Sequence, residues 1–418
     1  MRIIPSIEFI PGKSNVGSAL SVIGPDFTFS RTTTPVAGVA TRVNASGLIE
    51  TVPDNVLRLD YPIGGGCPAA LIEPSAQNIF QRSEEFNDAY WSLSRSNAFG
   101  SGSIVNAINS PDATATADYI QQQTGETVGG GVFRGITVTS GTVYTLSVFA
   151  KQGDNRFLRL GFAIGAAGAG IFCNFDLQDG LAGTPSAGIT PTIANFGNGW
   201  FRCSITATSQ VSASALQFIY QANALSGSTA TPDTGIYIWG AQLETGAIPT
   251  SYIPTTTGQA TRDADVCLVS GVSGYIGQTE GTIYVEVDLN QNSLTNVHPI
   301  VLWTAAPNRL QILIDANRRI IFQAVLNGIV GLQLNPSNVL GNGVHKIALG
   351  YQSGNSALYL NGVSISQSTT TYTVPPCSNI NLGSNAGSSA QLNDRIRAAA
   401  LYTTRLSNDQ LASLTRLT

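Results

Sequence analysis

The sequence predicts an all-β chain of sandwiches or barrels, in three blocks. Three observations predict it. Short β-branched and aromatic runs recur along the chain, with Gly, Asn, Asp, Ser or Pro at their tips. Helix signals are confined to EEFNDAYW (84–91) and SNDQLASLTRL (407–417). Of 418 residues, 43% are hydrophobic and only 11% charged, with 44 glycines and a net charge of −4. A coiled coil needs abundant Glu, Lys and Arg beside its seam. A disordered chain needs low hydrophobicity and high net charge. A nucleic-acid binder needs clustered Lys and Arg. The composition excludes all three.

Taken in order, residues 1–78 hold short strands, several prolines and GGGCP at 64–68. Ile3, Ile4, Ile7, Phe9 and Ile10 have little local sequence to cover them, so this block is expected to pack on another chain. Residues 79–250 carry YTLSVFAK (144–151), FRCSITATS (201–209), ALQFIYQA (215–222) and GIYIWGAQLE (235–244), enough strand for a core of their own. SYIPTTTGQATRDADV (251–266) is rich in Pro, Thr and Gly, and 251–267 reads as a linker. Residues 268–418 hold GTIYVEVDL (281–289), RLQILIDA (309–316), RIIFQAVL (319–326), HKIALGYQ (345–352) and SALYLNGV (356–363). The closing helix has Ser407 as N-cap and Asp409 in its first turn. The most apolar stretch, 158–175, contains Arg159 and falls short of a membrane span. The opening MRIIPSIEFIPG has no apolar core of a secretory signal. No membrane insertion is expected.

Catalytic constellations are missing. Cys67, Cys173, Cys203, Cys267 and Cys377 form no CxxC, and His298 and His345 are the only histidines, which argues against zinc. Cys173 and Cys203 sit in apolar strand patterns and read as small core residues. There is no GxSxG and no phosphate loop. Glu286 and Asp288 share one face of a strand, as glycoside hydrolysis in a sandwich fold requires. The acid/base carboxylate would then fall at Asn290 or Gln291, neither of which can give up a proton, so no enzyme is expected. Trp91, Trp200, Trp239 and Trp303 read as core residues ahead of sugar platforms. Lys151, Arg159, Arg202, Gln217 and Gln221 project from the polar sides of successive strands. They form one hydrogen-bonding face if those strands are neighbours, or a merely solvated face.

Particular segments resemble a known family. FTFSRTTT (27–34), TRVNASGLIETVPDNVLRLDY (41–61) and ALIEPSAQNIFQRSEEFNDAYW (70–91) resemble the leading part of tailed-bacteriophage virion fibre and receptor-binding proteins. YTLSVFAKQG (144–153), FDLQDG (175–180), GNGWFRCSITAT (197–208) and YIWGAQLETGAIPTSYIPTTTGQATRDADV (237–266) resemble their carbohydrate-binding-module-like jelly roll. HKIALGYQSGNSALYLNGV (345–363), INLGSNAG (380–387) and IRAAALYTTRLSNDQLASL (396–414) resemble a concanavalin A-like, laminin-G-type domain.

The resemblance implies an N-terminal anchoring segment followed by two β-sandwich (jelly-roll) domains, in a non-enzymatic protein on the outer surface of a virion, assembled as a homotrimer. The N-terminal block would dock on other virion proteins, and the β domains would bind host cell-surface polysaccharide. Two alternatives stay open: a head or neck fibre or decoration with little glycan affinity, and a sandwich-fold polysaccharide depolymerase. No cofactor is required. Jelly-roll binding modules often hold a structural calcium between their first and last strands, where Glu84, Glu85, Gln242 and Glu244 lie. Plain surface carboxylates are the alternative, since calcium wants six to eight oxygens and no Asp-rich loop is present. The quoted signatures are core and turn residues, so ligand contacts do not carry over. Strand alternation puts the expected contacts on the outward face of the middle domain, at Lys151, Arg159, Arg202 and Gln221, ahead of Trp303 and Arg319 in the last domain. Each site can be weak, because linked copies raise effective concentration.

Overall fold

Alternation along the strands sorts side chains onto two faces, and burying one face of each sheet produces two sandwiches. The computed structural model describes residues 4–11, 23–34, 39–290, 295–305, 307–386 and 389–417; Ile3, Lys13 and Gln291 lie outside the described residues. Among these, the only α-helix is Asn408–Thr415.

The sandwich built on the C-terminal residues centres on Glu280–Leu289. This strand turns Ile283, Val285 and Val287 inward and pairs antiparallel with Gly343–Gln352 and with Asp394–Tyr402. The facing sheet runs in the order Thr28–Ser30, Val266–Ser270, Asn379–Leu382, Val297–Trp303, Arg309–Ile314, Ile320–Leu326, Ile329–Leu334. Ile300, Leu302, Ile312, Phe322 and Ile380 complete the core from that side. The helix packs on the outside through Leu411, against Tyr284, Ala348, Tyr359 and Tyr402. Ser407 and Gln410 close a capping box at its start, as the sequence indicates.

The N-terminal block does not project as an arm. Ile7–Phe9 pairs with Ala399–Leu401, Thr28–Ser30 with Val266–Leu268, and Ala69–Ile72 with Asp394–Ile396. Ile7, Phe9, Phe27, Phe29 and Ile72 are buried in the C-terminal core, while Ile4 is exposed. The cover expected from another chain is therefore supplied by the far end of the same chain. Local sequence could not show this, because the partners are long-range.

The middle sandwich has two six-stranded antiparallel sheets. One runs Ile104–Ile108, Ala117–Gln121, Gly235–Thr245, Val143–Gln152, Trp200–Thr208, Thr190–Asn195. The other runs Leu181–Ala182, Ile171–Asp176, Phe157–Phe162, Ala213–Ala222, Gly131–Val138, Ser92–Ser94. Leu146, Val148, Leu160, Cys173, Cys203, Ile205 and Ile238 fill the space between them. EEFNDAYW is not a helix. It is a run of turns that drops Phe86 and Trp91 into this core, with Trp91 edge-on to Phe80 at 4.9 Å. Burial of two large rings decides the conformation over a weak helical propensity.

The segment read as a linker is also built in. Tyr252, Ile253, Ala260, Arg262 and Asp265 are buried. Ala260–Arg262 is the central strand of a small sheet between Thr33–Thr34 and Ala76–Asn78. Beside it, Arg31, Arg58 and Arg262 surround Asp265 and Glu73. Arg58 meets Glu73 at 2.7 Å and also bonds Asp265, Arg31 reaches Asp265 at 3.2 Å, and Arg262 reaches Glu73 at 3.0 Å. All five side chains are almost completely enclosed. Burial would raise the Glu73 carboxyl, but Arg262 and Arg58 outweigh it and hold Glu73 well below the usual carboxylate range. Burial likewise works against Arg58, yet Asp265 and Glu73 raise it, whereas Arg31 and Arg262 end up lowered.

One buried carboxylate predicts a pH effect. Asp118 is fully enclosed and accepts the backbone N–H groups of Asn106 at 2.9 Å and Phe86 at 3.2 Å. Burial outweighs these bonds and pushes its carboxyl up to about 6. Between its unfolded and folded values the native state binds the extra proton, so this stabilisation is present in acid and is lost as pH rises through about 6. Lowering pH from 8 to 5 is expected to stabilise the middle sandwich by roughly 1.4 kcal/mol through this group. Urea unfolding at the two pH values measures it, and Asp118→Asn should flatten the slope.

Candidate functional site

The residues expected to form one binding face are distributed over four places. Along Ala213–Ala222 the odd-numbered side chains point into the sandwich, so Gln221 is interior, bonded to Asn155 at 3.1 Å and to the Ile120 carbonyl at 3.0 Å. Gln217 is interior for the same reason. Arg159 does sit on an outward face, but the loop after this strand seals it. Its guanidinium bonds Asn174 at 3.0 Å and the Gly227 carbonyl, lies 4.6 Å over the Phe172 ring, and is only 4% exposed. That burial, with no carboxylate to offset it, lowers the Arg159 pKa to about 10. Lys151 and Arg202 belong to the other sheet. Lys151 borders a shallow hollow with Gln178, Asn195 and Phe201. Parity was legible in the strands of Lys151, Arg159 and Arg202 but not in that of Gln217 and Gln221, and which sheet each strand joins was not legible.

In the C-terminal sandwich, Trp303 donates its ring N–H to Asn381 at 2.8 Å, and Arg319 is paired with Asp315 at 2.7 Å across a hairpin turn. The residues expected as calcium ligands do not converge. Glu84 accepts from the Tyr252 hydroxyl at 2.9 Å, and Glu85 pairs with Arg82. Gln242 and Glu244 are buried together, with Glu244 accepting from the Thr250 N–H. Among the described residues no cluster of metal-ligating side chains is present. Glu286 is held by Arg397 at 3.0 Å and by the Tyr284 hydroxyl at 3.0 Å.

A cleft of about 940 Å³ lies between the three parts of the chain. That is within the roughly 300–1,000 Å³ usual for ligand pockets. The middle sandwich supplies the wall at the free edge of its first sheet. There Thr190 and Thr206 lie side by side on neighbouring strands and Thr192 and Ser204 form the next row, with Thr145 and Ser147 buried beside them on the third strand. Thr192 and Ser204 are bonded at 2.5 Å, and Thr145 and Thr206 at 2.7 Å. Arg202 follows in the third row, donating to the Thr250 carbonyl at 2.6 Å and to Ser147 at 3.0 Å. The N-terminal block adds Arg42, Asp60 and Tyr61, and the C-terminal sandwich adds Asp288, Asn290, Asn342, Arg395 and Arg397. Behind the wall, Phe149, Trp200, Trp239 and Tyr252 form a buried aromatic cluster with Ile49, which fixes the hairpin Ala40–Val43/Ile49–Val52 on the sheet. The two tryptophans are thus packing residues, as their sequence context indicates, although they pack between blocks rather than inside the sandwich.

A second surface escaped the sequence reading. On the outward face of the other sheet, Phe133 is opposite Phe218, which is opposite Gly161, which is opposite Phe172. A Cβ at Gly161 would come within 2.0 Å of the Phe218 ring, so the missing side chain lets that ring lie across the strand. Tyr220 stacks beside it at 4.9 Å. The alternation was visible in QFIYQA, but both faces of that strand carry large groups, so hydrophobicity alone did not separate them.

No protein-family model matches the chain. No curated protein matches it either. Solved structures do show partial similarity. A carbohydrate-binding module of the Ruminococcus gnavus sialidase bound to α2,3-sialyllactose is similar over 34% of this chain and 84% of that one, at 16% identity and a TM-score of 0.30. Domain 4 of an extracellular arabinanase from Geobacillus stearothermophilus, in complex with arabinotriose, covers 37% and 77% at 16% identity and a TM-score of 0.28. The binding domain of botulinum neurotoxin DC covers 36% and 39% at 14% identity and a TM-score of 0.31. What the strand order itself defines is a two-sandwich β protein with a polar cleft at its junction.

Proposed function

We propose that the chain is a non-enzymatic attachment protein that holds host cell-surface polysaccharide in the junction cleft, displayed as a fibre-type component on the outside of a virion. The observation that supports it is the cleft lining: rows of Thr and Ser hydroxyls on one wall face Asn side chains on the other. Hydroxyls and amides both donate and accept, which suits a ligand whose rim is itself hydroxyl groups. The virion setting rests on the sequence resemblance, as does trimeric assembly, which would multiply shallow sites.

The test uses full-length protein on an array of bacterial surface polysaccharides. Thr192 and Ala194 lie exposed on the edge strand that lines the cleft. Thr192→Trp with Ala194→Trp is expected to fill the cleft and weaken binding at least ~10-fold, with the melting temperature unchanged. Undiminished binding by this variant would place the site elsewhere. Absence of binding to any polysaccharide would favour a purely structural head or neck fibre, and location on the particle by cryo-electron microscopy would then identify which.

A further inference from the structure

We infer that the cleft selects an uncharged polysaccharide and rejects acidic ones; the inference rests on the attachment reading. It follows from where the cleft's charges are already committed. Its cationic lining residues are Arg42, Arg202, Arg395 and Arg397. Arg42 is bound to Glu50 at 2.6 Å, Arg395 to Asp60 at 2.6 Å, and Arg397 to Glu286 at 3.0 Å. Burial alone would lower the Arg395 guanidinium, but Asp60 and Asp394 overcome it and hold the group above its ordinary value. An acidic sugar would have to displace a carboxylate that is already in place on each of these three.

Arg202 is the remaining cation, and it offers no open fork. Both terminal nitrogens donate within the protein, to Thr250 and Ser147, and its guanidinium lies 5.3 Å from the centre of the Phe149 ring. Bidentate capture of a carboxylate or phosphate needs two adjacent N–H groups that a ligand can reach; here each terminal nitrogen already donates within the protein, and the Nε–H, although without a partner, is buried. On the opposite wall, Asp288 has an amide partner, Asn290 at 3.3 Å, and lies across the strand pair from Arg395, whose charge it shares with Asp60 and Asp394. An anionic ligand in the cleft therefore meets three carboxylates, those of Asp60, Asp288 and Asp394, already gathered around Arg395, and finds no free cation. Desolvating a carboxylate without a partner costs several kcal/mol, whereas a neutral hydroxyl exchanges water for the Thr, Ser and Asn groups at little net cost.

The experiment measures binding of the full chain to a neutral glucan, a neutral galactan, a polyuronate, a polysialic acid and a glycerol-phosphate polymer, each at 50 and 500 mM NaCl. Binding to a neutral polymer, changing less than ~2-fold with salt and lost in Thr192→Trp/Ala194→Trp, is the expected result. Asp288→Lys is expected to admit the acidic polymers, with affinity falling as salt rises, because it places an unpaired cation in the same space. Wild-type binding to acidic polymers, weakened more than ~10-fold by salt and lost in the cleft-filled variant, would overturn the inference and leave the attachment reading standing. Neutral-polymer binding that survives cleft filling but is lost in Phe218→Ala would overturn it in favour of the outward aromatic face. Failure of every polymer to bind would overturn both readings.

Discussion

A chain beginning at residue 31 is expected to lose the C-terminal sandwich while keeping the middle one. The truncation removes Ile7–Phe9 and Thr28–Ser30, which pair with Ala399–Leu401 and Val266–Leu268. It also removes Ile7, Phe9, Phe27 and Phe29 from the core, where Phe9 and Phe27 meet edge to face at 5.5 Å. Each such side chain contributes roughly 1.5–3 kcal/mol by burial. Four of them amount to most of the roughly 5–15 kcal/mol that a domain has. The middle core takes no residue from this segment. Thermal unfolding followed by near-ultraviolet circular dichroism should lose one transition, and limited proteolysis should degrade residues 268–418 first. If both transitions persist and only assembly is impaired, the segment acts as a docking arm after all. The same reasoning expects 268–418 expressed alone to be unfolded.

Asp265→Asn is expected to destabilise the junction by roughly 3–5 kcal/mol, the usual range when one partner of a buried ion cluster is removed. Asp265 accepts from Arg31 and Arg58 and from the Glu73 backbone N–H at 2.9 Å. Without its charge, three enclosed guanidinium groups share one carboxylate, that of Glu73. An amide nitrogen would also face donors where an oxygen now accepts. Because the cluster ties residues 31, 58 and 73 to 262 and 265, both sandwiches should feel the change. Urea unfolding should show a lower midpoint and separation of the two domains' transitions. A variant that unfolds like wild type would mean that the cluster relaxes by admitting water.

Strand character, turn positions and the closing helix were legible because they depend on side chains two to four residues apart. Val285 and Val287 turn inward on the strand read from YVEVDL, and Ser407 caps the helix read from SNDQLASL. Domain membership was not legible. Ile7 and Phe9 seemed to lack cover because the strand that covers them ends at Tyr402. The Pro/Thr/Gly content of 251–266 suggested a linker, but Arg262 and Asp265 only become fixed once Arg58 and Glu73 arrive from the first block.

The candidate site divides the same way. Arg202 could be placed on the polar side of its strand, opposite Cys203, from alternation alone. Whether that side meets solvent, another block or a cleft depends on which strands lie beside it, and this is a matter of long-range pairing. Gln221 obeyed the same alternation with the opposite result, because polar side chains on an inward face are accommodated once Asn155 and the Ile120 carbonyl supply partners. The sequence by itself determined that this protein is built of β-sandwiches with few charges, since periodicity and composition act locally. Only the tertiary structure decided that its first and last strands share one core and that the blocks enclose a hydroxyl-lined cleft with three of its four arginines already paired to carboxylates, because those contacts join residues far apart in the chain.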